Sequence, residues 1–298
     1  MYNRYESALA QRQAESQLRA PRTYDPIDAT HVVYKGSTYL MMASNNYLGL
    51  THHPHVQERA RQAILDYGTG SGGARLTSGS FPLFQELESQ LAQWKQAPSA
   101  LTFTAGFMAN LGTISALVHK GDIIFSDALN HASLIDGCRL SGATVQVYPH
   151  SDVQALETLL QQAQSAPMRF IITDGVFSMD GDIAPLPDLL DLAERYDALL
   201  IVDDAHATGV IGDGRGTTHY FHCESPRIIT TGTMSKALGS IGGYVCGEST
   251  LIQYIINHSR PFIFATALSP ADIGASLGAL EVLHTDPTIY ARLQRNTK

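Results

Sequence analysis

From about residue 99 onward the chain alternates short apolar, β-branched runs with helical patterns, and this rhythm restricts the fold more than any other feature. Parallel strands need long crossover connections, usually helices, so the rhythm predicts an α/β protein with a mostly parallel sheet between helices. The runs that read as strands are Ala100–Thr104, Ile123–Ser126, Thr144–Tyr148, Arg169–Thr173, Leu199–Asp203, Arg227–Thr231 and Gly243–Gly247. Before them, Phe84, Leu87, Leu91 and Trp94 recur at helical spacing and read as the core-facing stripe of a helix. Tyr2 to Leu18 reads as an arm helix, followed by two short strands about a Lys35–Gly36 turn. Pro270 to Leu283 reads as a long amphipathic helix, and Asp286-Pro287 opens another that runs to the end without a capping signal.

The 298 residues suffice for one large domain or two ordinary ones. A formal charge of −8 argues against nucleic acid or an anionic membrane as the main partner. Three widely spaced cysteines, Cys138, Cys223 and Cys246, form neither a disulfide framework nor a zinc pattern, so a reducing, cytoplasmic setting without a metal site is expected. Residues 1–20 lack an apolar export segment, and no apolar run reaches the length of a membrane span.

The chemistry concentrates where strands end. Thr230-Thr231-Gly232-Thr233-Met234-Ser235-Lys236-Ala237-Leu238-Gly239 sets a lysine among hydroxyls and glycines after an apolar run. A Schiff-base lysine needs such a loop, with small neighbours that admit a flat ring and hydroxyls that hold a phosphate. Leu199 to His206 delivers Asp203, Asp204 and a histidine at the carboxyl end of a strand, where ligands of open α/β sheets lie. A buried Asp203 would keep a pyridine nitrogen protonated, because an opposite charge favours the cation. The competing readings are that the two aspartates cap the following turn or bind magnesium. Gly106 and Phe107 open a helix whose free N–H groups suit a phosphate. His131 sits at another strand-to-helix junction, placed to stack on an aromatic ring, and Ser178 follows the strand 169–173 as a donor for ring or phosphate. Gly68, Gly70 and Gly73 satisfy G-x-G-x-x-G, but the preceding Arg59–Tyr67 reads as helix and no Gly-Lys-Ser/Thr follows, so neither a dinucleotide fold nor a P-loop is supported.

Together, in this order, these segments resemble the α-oxoamine synthases, pyridoxal 5'-phosphate (PLP) enzymes of the aspartate-aminotransferase fold (fold type I), from about Leu40 to the chain end. Ser44-Asn45-Asn46-Tyr47-Leu48-Gly49-Leu50 is similar to the family's entrance signature. The resemblance implies that Lys236 carries PLP and acts as the catalytic base, that Asp203 pairs with the ring nitrogen, and that His131 stacks on the ring. It further implies that His206 meets the ring's phenolic oxygen, that Gly106, Phe107 and Thr233 hold the phosphate, and that Ser178 lies beside the cofactor. For substrates it implies an amino acid and an acyl thioester joined with loss of carbon dioxide: L-alanine with a pimeloyl thioester, or alternatively glycine with an acetyl thioester. Asn45, and Arg19 or Arg22, are the implied substrate contacts. The loop Gly70–Gly79 and Thr266 imply a homodimer with shared sites. On this reading residues 1–40 are an arm, 41–280 the PLP-binding large domain and 281–298 the start of a small domain that is otherwise absent, which leaves a non-catalytic PLP-binding module as a further alternative.

Overall fold

The computed structural model describes residues 1–298, which form two compact units, Met1–Ala43 and Ser44–Lys298. The first contains helix α1 (Asn3–Ala14) and the antiparallel strands β1 (Asp25–Pro26), β2 (His31–Tyr34) and β3 (Ser37–Leu40). Lys35 and Gly36 make the expected turn, both with positive φ (50° and 79°), the geometry that matches the twist of paired strands. The arm helix is shorter than its sequence suggests. It buries no residue, and it ends where Ser16 turns left-handed at φ 55° and the Gln17 N–H closes the cap on the Arg12 carbonyl at 2.8 Å.

The second unit runs α2 (Pro54–Tyr67), α3 (Pro82–Lys95), β4 (Ser99–Phe103), α4 (Gly106–Leu117), β5 (Ile123–Asp127), α5 (Ala132–Ser141), β6 (Thr144–Tyr148), α6 (Val153–Gln162) and β7 (Arg169–Asp174). It continues with α7 (Leu186–Arg195), β8 (Ala198–Asp203), α8 (Thr217–Tyr220), β9 (Ile228–Thr233), β10 (Gly243–Gly247), α9 (Ser249–His258), α10 (Arg260–Phe264), α11 (Pro270–Thr285) and α12 (Pro287–Asn296). Strands β4 to β10 form one sheet in the order β4-β10-β9-β8-β7-β5-β6, parallel from β9 to β6, with β10 antiparallel to both neighbours.

Strand alternation distributes the core over the two faces. Phe170 and Ile172 pack with Ile114, Leu134 and Ile255, whereas Ile171 packs with Leu156, Leu189 and Leu192. Because both faces are covered, the central strands read as continuous apolar runs. A third cluster joins α2, α3 and α11 to Tyr244 and Cys246 of β10. Helix α11 departs from the expected amphipathic pattern: Gly274 and Gly278 are buried along with Ile273, Leu277 and Leu280, because α2 lies against its small residues. No helix is long and apolar enough to cross a membrane.

Candidate active site

The parallel strands all point one way, so the carboxyl ends of β5, β7, β8 and β9 share one edge of the sheet, where β10 begins. Asp203 ends β8 and stands in register with Asp174, which ends β7. Both are buried, at 4% exposure each. Asp203 Oδ1 accepts from the Ala205 N–H at 2.9 Å, so it does cap the turn, and Oδ2 accepts from Asn110 Nδ2 at 2.6 Å. A carboxylate offers about four lone-pair sites, which leaves acceptor capacity for a ring N–H. Asn110 is itself fixed: its Oδ1 accepts from Thr231 Oγ1 at 2.5 Å and its Nδ2 also reaches Ser133 Oγ at 2.8 Å.

Asp204 is committed elsewhere. Its carboxylate accepts from Lys95 Nζ at 2.8 Å and from Thr217 Oγ1 at 2.6 Å, and both partners of the ion pair are buried. Burial opposes the Lys95 charge, but the Asp204 carboxylate outweighs it and holds the ammonium above its ordinary pKa. The magnesium alternative required both aspartates at one ion, and this pair removes one of them.

Lys236 is half-buried on the loop after β9, with Nζ 2.9 Å from His206 Nε2. His206 Nδ1 lies 2.7 Å from the Tyr47 hydroxyl, which donates to Asn45 Oδ1 at 3.2 Å. Because Tyr47 spends its proton on Asn45, it accepts from His206 Nδ1–H, and Nε2 is then a bare acceptor for Lys236. The imidazole is neutral on electrostatic grounds too: burial, then the positive charges of Lys236 and His131, lower its pKa to about 4. Burial also lowers the Lys236 pKa, against the pull of Asp203 and Asp174. Asp174 is pushed up to about 8 by burial and by the negative charge of Asp203.

Helix α4 starts at Gly106 without a side-chain cap, so its first N–H groups are free for an anion. A Cβ at Gly106 would stand 2.9 Å from Thr233 Cβ, so only glycine lets the helix start abut that residue. Thr233 Oγ1 donates to the Gly242 carbonyl at 2.9 Å and lies 2.7 Å from Ser235 Oγ. The uncapped helix start thus abuts Thr233, with the Ser235 hydroxyl beside it. His131 caps α5, accepting from the Ser133 N–H at 3.3 Å, and its own N–H donates to Asp174 Oδ2 at 2.7 Å. Its exposed ring is 6.4 Å from that of Phe107, edge-on.

The structure thus joins Lys236, His206 and Asn45 in one hydrogen-bonded chain, Gly106 with Thr233, and His131 with Phe107 and Asp174. Ser178 is exposed on the loop after β7, and Arg19 is exposed in the N-terminal unit. Tyr47, Asn110 and Asp174 carry roles that sequence reasoning did not assign, although each lies within a segment singled out for its neighbours. Lys95 has one signal in the sequence, a cation ending the apolar stripe of α3.

A lysine and a buried aspartate at the carboxyl edge of this sheet, beside an uncapped helix start, define a PLP-dependent enzyme of fold type I. The chain belongs to the aminotransferase class I and II family, whose model matches residues 37–298. Among its relatives, the 8-amino-7-oxononanoate synthase of Lysinibacillus sphaericus is 44% identical, over 100% of this chain and 77% of that protein. Serine palmitoyltransferase from S. paucimobilis, solved with PLP and myriocin bound, superposes with a TM-score of 0.93 at 30% identity, over 99% of this chain and 76% of that one. The 8-amino-7-oxononanoate synthase of Francisella tularensis gives 0.73 at 33% identity, over 85% and 72%.

Proposed function

We propose that the chain condenses L-alanine with a pimeloyl thioester, releasing carbon dioxide and forming 8-amino-7-oxononanoate for biotin synthesis. The observation that carries this reading is the half-buried Lys236 amine, 2.9 Å from a neutral His206 at the strand edge that ends in Asp203. Relatives named 8-amino-7-oxononanoate synthase, such as that of L. sphaericus, match the whole chain and support the substrate pair.

When bound, PLP supplies an aldehyde and a cationic ring that draws electrons from the carbon next to the substrate's amino group. The residues fit such a group. The N–H groups of Gly106 and Phe107 and the Thr233 hydroxyl would hold its phosphate, Asp203 its ring nitrogen and His206 its phenolic oxygen. His131 would cover a ring face, with Ser178 alongside. Lys236 would carry the aldehyde and, once freed, take the proton from the amino acid's α-carbon; its lowered pKa enlarges the uncharged fraction able to do so. Tyr47, held by Asn45, keeps the His206 acceptor aimed at that amine. Asn45 would contact the amino acid, and a guanidinium such as that of Arg19 or Arg22 suits the distal carboxylate of a pimeloyl group.

The site is completed in a homodimer on this reading, with the loop 70–79 approaching the active site from the dimer interface and Thr266 reaching the partner's phosphate. Ala74 bridges Thr266, so the two segments are paired within the chain. The chain spans about three quarters of the length of relatives such as the L. sphaericus enzyme.

Borohydride reduction of the PLP-supplied protein followed by peptide mapping should place the label on Lys236. Lys236→Ala should lose the visible absorbance and reduce turnover by about 100-fold or more. A label on another lysine would overturn the site, and faster condensation of glycine with an acetyl thioester would overturn the substrate pair.

A further inference from the structure

A second titratable cluster holds the loop that follows β7 and its terminal Asp174. His150 follows β6, Asp127 ends β5, and Asp182 lies in the loop after β7. His150 Nδ1 is 2.9 Å from Asp127 Oδ1, and Nε2 is 2.8 Å from Asp182 Oδ2. Carboxylate oxygens only accept, so both ring nitrogens must donate, and an imidazole ring does that only as the imidazolium.

The two carboxylates are held unequally. Asp127, with its side chain 2% exposed, also accepts from the main-chain N–H groups of Leu129 and Ser151, at 2.9 Å each. Asp182, 40% exposed, takes His150 at Oδ2, while its Oδ1 is buried with no partner. The loop is a tight hairpin in which Val176 bridges Ile183, and the Phe177 N–H donates to the Asp182 carbonyl at 3.0 Å. Phe177 is buried, its ring edge-on to His150 at 4.4 Å. Ser178 is the next residue.

We propose that His150, as an imidazolium, is a positioning residue that latches the loop 176–183 onto the ends of β5 and β6 and so places Ser178. The placing of Ser178 beside the cofactor rests on the function proposed above; the latch does not.

The groups facing His150 are Asp127 from β5 and Asp182 from the loop. Nearby, Asp152 is spent capping α6 through the Ala155 N–H, and the Tyr148 hydroxyl of β6 is buried. Asp174 of β7 lies near enough for the Asp127 charge to help raise its pKa. Burial acts to lower the His150 pKa, but its bonds to Asp127 and Asp182 outweigh that and raise it above the ordinary value. A raised folded-state pKa means the latch is intact below about pH 6.5 and is lost as pH climbs through the folded value. Once neutral, one ring nitrogen presents a lone pair to a carboxylate. Asp127 cannot yield, so the loop opens.

Amide hydrogen exchange of the segment 176–183, followed in the PLP-loaded protein and corrected for intrinsic rates, tests this directly. Protection should fall about five-fold between about pH 6 and about pH 9, the equivalent of one hydrogen bond. In His150→Gln, and independently in the surface variant Asp182→Ala, protection should be low and insensitive to pH. Protection that ignores pH in the wild type, or survives both substitutions, overturns the latch. PLP affinity is read separately. If Asp182→Ala loosens the loop and leaves that affinity unchanged, the latch stands and the role of Ser178 falls.

Discussion

Asp174 and Asp203 end neighbouring strands, buried and in register, and two like charges so placed resist simultaneous ionisation. Asp174 retains its proton up to about pH 8, and since the folded pKa lies above the unfolded value near 4, its contribution to stability is present below about pH 4 and lost as pH rises to about 8. In urea unfolding of the cofactor-free protein, Asp174→Asn should flatten that decline while preserving the acceptor for the His131 N–H. An unchanged pH slope would show that the pair does not share a proton. Lys236, Asp203, His206 and Thr233 were legible in the sequence because each sits in a short segment whose neighbours announce its chemistry. The groups that orient them were not. Tyr47 meets His206 across 159 residues, Asn110 meets Asp203 across 93 and Lys95 meets Asp204 across 109, and no local pattern encodes such pairings.

At the scale of elements, the helix pair α2 and α11 shows what binary patterning omits. A Cβ on Gly274 would stand 2.5 Å from the Arg59 carbonyl oxygen and 2.8 Å from Ala63 Cβ, and one on Gly278 3.1 Å from Val56 Cα. The glycines are there for close approach rather than for flexibility. Gly274→Ala should therefore destabilise by about 1–3 kcal/mol through overpacking, despite alanine's advantage of about 1 kcal/mol in helix propensity. Urea midpoints measure this, and a stabilised variant would show that α2 can retreat. The strands were legible to within one or two residues at each end, because short β-branched runs bounded by turn residues favour the pleated conformation. Arg227–Thr231 was read short: β9 extends to Thr233, since pairing with Gly243 carries the ladder past the apolar residues.

For the whole molecule, the proposed dimer makes a direct prediction. Phe264 is 70% exposed two residues from Thr266, an unusual position for a large apolar ring unless another surface covers it. Sedimentation equilibrium should give twice the chain mass, and Phe264→Glu should shift it to the monomer with loss of condensation. A monomeric wild type with full turnover would exclude shared sites. By itself the sequence determined the kinds of element, their order along the chain and the residues at the strand ends, since periodicity and turn chemistry act between near neighbours. Only the tertiary structure decided that β10 inserts antiparallel between β4 and β9, that Asp203 faces the lysine site while Asp204 is bound to Lys95, and that His150 bridges two carboxylates. Those outcomes depend on which groups share a desolvated space, and hydrogen bonding and burial there are set by residues that the chain brings together from far apart.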